Sequence, residues 1–215
     1  MKEQAKANEN TQPERSEEDQ IKFEETELQK EDEEDRKVQF TVLGGSEECP
    51  VDPEDEVLDF CMRFRIPKIE NLEKCTKLTT LLLRKNLIKK LEGLDNNVML
   101  EELEMYDNRL RHIENIGHLV NLTFLDLSFN RIKVISGMDT LVNLKKLYVS
   151  SNRIKKMENL NTLVNLTVLD VGDNRIRKIE GIDKLVNLRE FHAAKNKLQV
   201  IEGLETCTSL ELVAM

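Results

Sequence analysis

The sequence has no tryptophan and only 4% aromatic residues among its 215, which excludes a core built on stacked rings. Any interior must be filled by leucine, isoleucine and valine. Four cysteines, Cys49, Cys61, Cys75 and Cys207, stand far apart without a CxxC pair or paired histidines, so zinc and thioredoxin-like spacings are absent. Reduced thiols are expected. With 8 glycines and 4 prolines the chain carries no phosphate-binding glycine loop, no nucleophile elbow and no paired acid site. His112, His118 and His192 have no spacing that suits a metal or a triad. The expectation is a protein that is not an enzyme and holds no cofactor or metal. No apolar run approaches the ~20 residues needed to cross a bilayer, and the chain is charged from Lys2 with no apolar leader segment. A soluble protein of nucleus and cytoplasm is expected.

What is present divides unevenly. The net charge of −9 resides in residues 1–56, which carry 20 acids against 7 bases, while the remainder is about +4. A segment so charged and so poor in apolar side chains cannot offset the entropy of ordering, so 1–56 is expected to be a mostly disordered acidic tail. Within it only Lys37 to Leu43 (KVQFTVL) has strand character, followed by a Gly44-Gly45 turn.

From residue 57 the sequence repeats. Asn86, Asn108, Asn130, Asn152, Asn174 and Asn196 are each 22 residues apart. Five residues before them stand Leu81, Leu103, Leu125, Leu147, Leu169 and Phe191, and two after them always Leu or Ile. This is the LxLxxN core of a leucine-rich repeat. Its period of two, changing to about three, implies a short strand and a return of 3₁₀ or irregular helix. Ordering one repeat at roughly 1.5 kcal/mol per residue outweighs burying its aliphatic side chains at ~2 kcal/mol each, so turns must stack. The fold class expected is an α/β leucine-rich-repeat solenoid: a curved parallel β-sheet on the concave side and short 3₁₀ or irregular helical segments on the convex side. Residues 57–72 match loosely, with Phe64 in the asparagine position, and are expected to be an N-terminal cap. Seven strands follow from the repeats. The sequence ends at Met215, inside the next strand and without a capping segment, so an exposed apolar last turn is expected.

The residues between the LxL leucines face the concave surface and read Leu82, Glu104, Asp126, Tyr148, Asp170, His192 and Ala214. Acids alternating with aromatics suit a protein partner with basic and apolar features. The opposite ridge is basic, from Arg109, Arg131, Arg153, Arg175 and Lys197, but Glu92, Glu114, Glu158, Glu180 and Glu202 follow closely. That ladder neutralises itself and lacks interleaved aromatics for stacking bases, so no nucleic-acid partner is expected. Cys75 and Cys207 occupy a position that is leucine in other turns, as core substitutes. The Asn121-Leu-Thr123 and Asn165-Leu-Thr167 sequons arise from the repeat consensus.

The repeats LLLRKNLIKKLEGLDN, LEMYDNRLRHIENI, LDLSFNRIKVISGM and LDVGDNRIRKIEGI resemble the 22-residue class typified by the SDS twenty-two protein, the leucine-rich-repeat regulatory subunits of protein phosphatase 1. The resemblance covers about 57–215. It implies a regulator that holds the phosphatase catalytic subunit on its concave face through Asp126, Tyr148, Asp170 and His192, as a monomer within a heterodimer, with Glu104 joining them from the reading of the stripe. Axonemal dynein light chains carry similar repeats, and a ciliary or cytoskeletal adaptor is the alternative. In the tail, Arg36-Lys37-Val38-Gln39-Phe40 fits the basic, valine, any, phenylalanine pattern by which regulators add a strand to that phosphatase, with Val38 and Phe40 as the anchors.

Overall fold

The computed structural model describes residues 16, 19, 21–23, 26, 27, 29, 30, 40–44, 49–62 and 65–215. Two compact units separate at Gln39 and Phe40. In the first, the described residues from 19 to 30 are helical, where the sequence suggested no order. Val38 and Phe64 lie outside the described residues. The second unit begins at Phe40, ahead of the expected boundary at 56. Leu43 and Cys49 are fully buried in the same core as the repeats, and the Asn71 amide donates to Leu43 O at 2.6 Å. The expected strand over 37–43 does not appear in its described part: Phe40 to Val42 are irregular, with Phe40 and Val42 exposed, and Leu43 and Gly44 turn back, with Gly44 N donating to Cys49 O at 2.9 Å.

Eight three-residue strands form one parallel sheet in sequence order: β1 (Val57–Asp59), β2 (Thr80–Leu82), β3 (Glu102–Glu104), β4 (Phe124–Asp126), β5 (Lys146–Tyr148), β6 (Val168–Asp170), β7 (Glu190–His192) and β8 (Leu212–Ala214). The loosely matching cap thus contributes a strand of its own, one more than the repeats alone indicate. Leu58 pairs with Leu81, a step of 23 residues, whereas Leu81 pairs with Leu103 at the regular 22. One extra residue lies in the first turn. That insertion is what blurs the repeat in the sequence.

In β2 to β7 the central residue points into the core and is fully buried. The second buried row is Leu83, Met105, Leu127, Val149, Val171 and Ala193. The return path behind the strand places an apolar residue every third position, as in Ile116, Leu119 and Leu122, all fully buried. Leu119 N donates to Ile116 O and Leu122 N to Leu119 O, at 2.9 and 3.0 Å. These are two linked four-residue turns with the i→i+3 bonds of a 3₁₀ segment, too short to make a regular helix, in keeping with the expected short irregular return. In one turn the middle position is Asn97, fully buried, whose amide donates to Leu72 O and Cys75 O. It sits across from the small Cys75, also fully buried.

The asparagines stitch turn to turn. Asn108 Nδ2 donates to Leu83 O in the preceding turn at 2.9 Å and to Met105 O in its own at 3.1 Å. Its Oδ1 accepts from Ile88 N at 3.0 Å. The same set recurs at Asn130, Asn152 and Asn174. Where the strands end, these side chains complete the backbone pairing that the sheet no longer supplies. A second, exposed row, Asn121, Asn143, Asn165 and Asn187, donates to carbonyls of the turn before at 2.9 Å. Both asparagines of the sequons belong to this row.

Candidate partner-binding face

Parallel pairing without slip places the stripe residues side by side: Glu104 opposite Asp126, Asp126 opposite Tyr148, Tyr148 opposite Asp170 and Asp170 opposite His192. Neighbouring strands are ~4.8 Å apart, so the five side chains form one continuous row, each partly exposed.

The strand pleat adds a row that reading between the leucines missed. Both neighbours of each central leucine face the same side, so Glu102, Phe124, Lys146, Val168 and Glu190 also lie on it. Phe124 meets Tyr148 with ring centroids 5.5 Å apart. One turn earlier and nearer the strand ends, Tyr106 meets Phe129 at 4.8 Å. The aromatics are few, yet four of them gather here.

The acids differ in surroundings. Burial pushes the Asp126 carboxyl above its ordinary value, against the pull of hydrogen bonds from Ser128. Ser128 N donates to Asp126 Oδ1 at 2.8 Å, as Gly172 N does to Asp170 Oδ1. Each aspartate therefore closes a local turn as well as facing the concave side. Burial likewise raises Glu104, opposed by Arg84, whose Nε lies 2.7 Å from Glu104 Oε2. Tyr148 is raised by burial and by the acids around it. His192 Nε2 lies 3.5 Å from Glu190 Oε2 on its own strand. Such a row, half-desolvated before any partner arrives, is preorganised for charged and aromatic contacts.

On the opposite ridge, bases and acids pair at the surface, as in Lys156 with Glu158 at 3.6 Å and Lys178 with Glu202 at 3.5 Å. Among the described residues no group of three or more His, Cys, Asp and Glu side chains is placed to hold a metal ion, and no helix is long and apolar enough to cross a membrane.

Family models agree with this geometry. One for two copies of leucine-rich repeats matches residues 142–184, and one for a single leucine-rich repeat matches 121–141. The chain folds as a leucine-rich-repeat solenoid. Among solved structures this leucine-rich-repeat chain is similar to internalin C2 of Listeria monocytogenes, with TM-score 0.68 and 26% identity over 74% of each chain. It is also similar to an internalin, inlF, of the same organism, with TM-score 0.60 and 22% identity, covering 74% of this chain and 53% of that one. A leucine-rich-repeat protein of Leptospira interrogans aligns with TM-score 0.69 and 23% identity, over 73% of this chain and 41% of that one. No curated protein matches the sequence.

Proposed function

We propose that this chain is a non-catalytic regulatory scaffold of the SDS twenty-two type, which binds the protein phosphatase 1 catalytic subunit on its concave face in nucleus and cytoplasm. The observation that carries the reading is the unbroken row from Glu104 through Asp126, Tyr148 and Asp170 to His192, in register across β3 to β7. A solenoid of three-residue strands offers a broad, rigid surface whose exposed side chains vary while its buried ones do not. That division suits recognition of a folded partner. Acids and aromatics of the row complement a partner surface of basic and apolar character.

The tail supplies a second contact. Phe40, exposed at the start of the solenoid unit, ends the Arg36 to Phe40 pattern, and its tether to the solenoid raises the effective concentration of either contact once the other has formed.

The test is a titration of purified catalytic subunit with the full chain and two variants. Loss of binding in Asp126→Ala/Tyr148→Ala/Asp170→Ala places the contact on the row, and loss in Val38→Ala/Phe40→Ala places it in the tail. A folded chain that does not bind the catalytic subunit at micromolar concentration overturns the reading.

A further inference from the structure

Each turn from β1 to β7 has a residue with left-handed backbone four positions after its central strand residue. These tips are Met62, Lys85, Asp107, Phe129, Ser151, Asp173 and Lys195, with φ between 50° and 65°. The N–H of each tip from Met62 to Asp173 donates to a carbonyl of the next turn, as Met62 does to Arg84 O at 2.9 Å and Phe129 to Ser150 O at 3.0 Å. The conformation belongs to the fold, so the side chain at each tip is free to vary. Five tips are polar or charged. Met62 and Phe129 instead expose apolar side chains, at 66% and 48%, in a backbone region that bulky residues seldom occupy.

One of these tips, Met62, lines a pocket, and the other, Phe129, packs on a ring in its wall. Cys61, Met62, Arg84, Lys85, Tyr106 and Asp126 line an opening of about 440 Å³ at the β1 end of the concave face, within the roughly 300–1,000 Å³ of small-molecule sites. Phe129 packs against the Tyr106 ring with centroids 4.8 Å apart. Arg84 is held in place by Glu104 at 2.7 Å and by Cys61 Sγ at 3.5 Å from its Nε. The lining is chemically selective. A thioether, a guanidinium, an ammonium and a tyrosine ring all gain most from the face of an aromatic ring, through sulfur, cation and quadrupole contacts. Asp126, also in the lining, offers a carboxylate oxygen as a hydrogen-bond acceptor.

We propose that this pocket is a receptor for a single tyrosine or tryptophan side chain projecting from a protein partner, its ring against Met62, Tyr106 and the two cations and its O–H or N–H donated to Asp126. The charges are complementary: the negative ring face meets Arg84 and Lys85, and the positive tip meets the acid. Phenylalanine fills the same space without the donor, and an aliphatic side chain lacks the ring. The proposal rests on the concave face being a protein-docking surface, but it names an anchor at one end of that face, independent of which partner supplies it.

The absence of tryptophan from the chain gives a direct assay. The full chain is titrated with N-acetyltryptophanamide, following probe fluorescence and the Met62 methyl and Tyr106 ring signals by NMR. Saturable millimolar binding that moves both signals is expected, with N-acetyltyrosinamide similar, N-acetylphenylalaninamide at least threefold weaker and N-acetylleucinamide inert. Met62→Ser and Tyr106→Ala, folded by circular dichroism, should each abolish binding, and Asp126→Asn should shrink the preference over phenylalanine. No saturable shift at Met62, or leucine binding as well as tryptophan, overturns the proposal. Phosphatase is absent from the assay, so failure of the regulatory reading leaves these outcomes unchanged.

Discussion

Phe124 on β4 and Tyr148 on β5 meet with ring centroids 5.5 Å apart and planes tilted by 39°. Phe124 stands beside the row of candidate contacts and holds one of its members in place. Replacing it with alanine removes a ring contact worth about 1 kcal/mol and lets the Tyr148 side chain sample other rotamers. On the proposed docking to the catalytic subunit, Phe124→Ala should therefore weaken binding about fivefold, with unchanged circular dichroism. Titration calorimetry reads the ratio, and wild-type affinity in Phe124→Ala would show that the pair plays no part in docking.

Asn130 makes four backbone hydrogen bonds: from Nδ2 to Met105 O, Leu127 O and Ser128 O, and from Leu110 N to Oδ1. Truncation leaves buried groups in two turns unsatisfied, at about 1–3 kcal/mol each. Asn130→Ala should cost about 3 kcal/mol or more in urea unfolding. Asn130→Asp keeps the shape and the acceptor but loses the donors and buries a charge, so it should be no milder. A cost below about 1 kcal/mol for both would mean that the ladder contributes little.

Burial raises the Asp126 carboxyl above its ordinary value, and that of Glu104 as well. The folded state therefore binds protons more readily at these sites than the unfolded chain does. Their contribution to stability is fully present below the ordinary carboxylate range and is lost as pH rises through the raised folded values. Asp126→Asn keeps an acceptor for Ser128 N without the buried charge. The variant should melt at or above the wild-type temperature at pH 7, and this advantage should vanish near pH 4. A variant less stable than wild type at pH 7 by several degrees would contradict the assignment.

Gly93 has φ 74°, and a Cβ there would lie 2.3 Å from Ile69 O. The equivalent position 22 residues on is Asn115, also left-handed, whose amide donates to Leu91 O at 3.0 Å. Glycine lets the backbones approach, and asparagine instead spans them with its side chain. Gly93→Ala should destabilise by more than about 2 kcal/mol from clash and left-handed strain combined, whereas Asn115→Gly should cost about 1 kcal/mol for its hydrogen bond. Chemical denaturation distinguishes the two, and equal costs would refute the distinction.

The repeat was legible because each conserved-looking position does one physical job. Leu103 and Leu125 fill equivalent places in the core, and Asn108 and Asn130 bond equivalent carbonyls. The stripe from Glu104 to His192 followed from the alternation of a strand. Phe124 was missed because attention to the residue between two leucines overlooks the one before them, though the same alternation places both on one face. β1 was obscured by a single inserted residue, which carries Met62 out of phase with the later tips. The inclusion of 40–56 in the solenoid unit escaped composition altogether. A few buried residues, Leu43 and Cys49 among them, bind a charged segment to a core that averages over the whole tail conceal. The second duty of Asp126, closing a turn onto Ser128 N, is a matter of local geometry that spacing does not reveal.

Because each ladder asparagine grips the turn before it with both its donor and its acceptor groups, an interior turn cannot open by itself. Melting it orphans carbonyls on one side and an asparagine on the other. Opening any one turn therefore disturbs its neighbours as well. The turns carrying Asp126 and Tyr148 are held on both sides in this way, so these two candidate contact residues keep their mutual geometry.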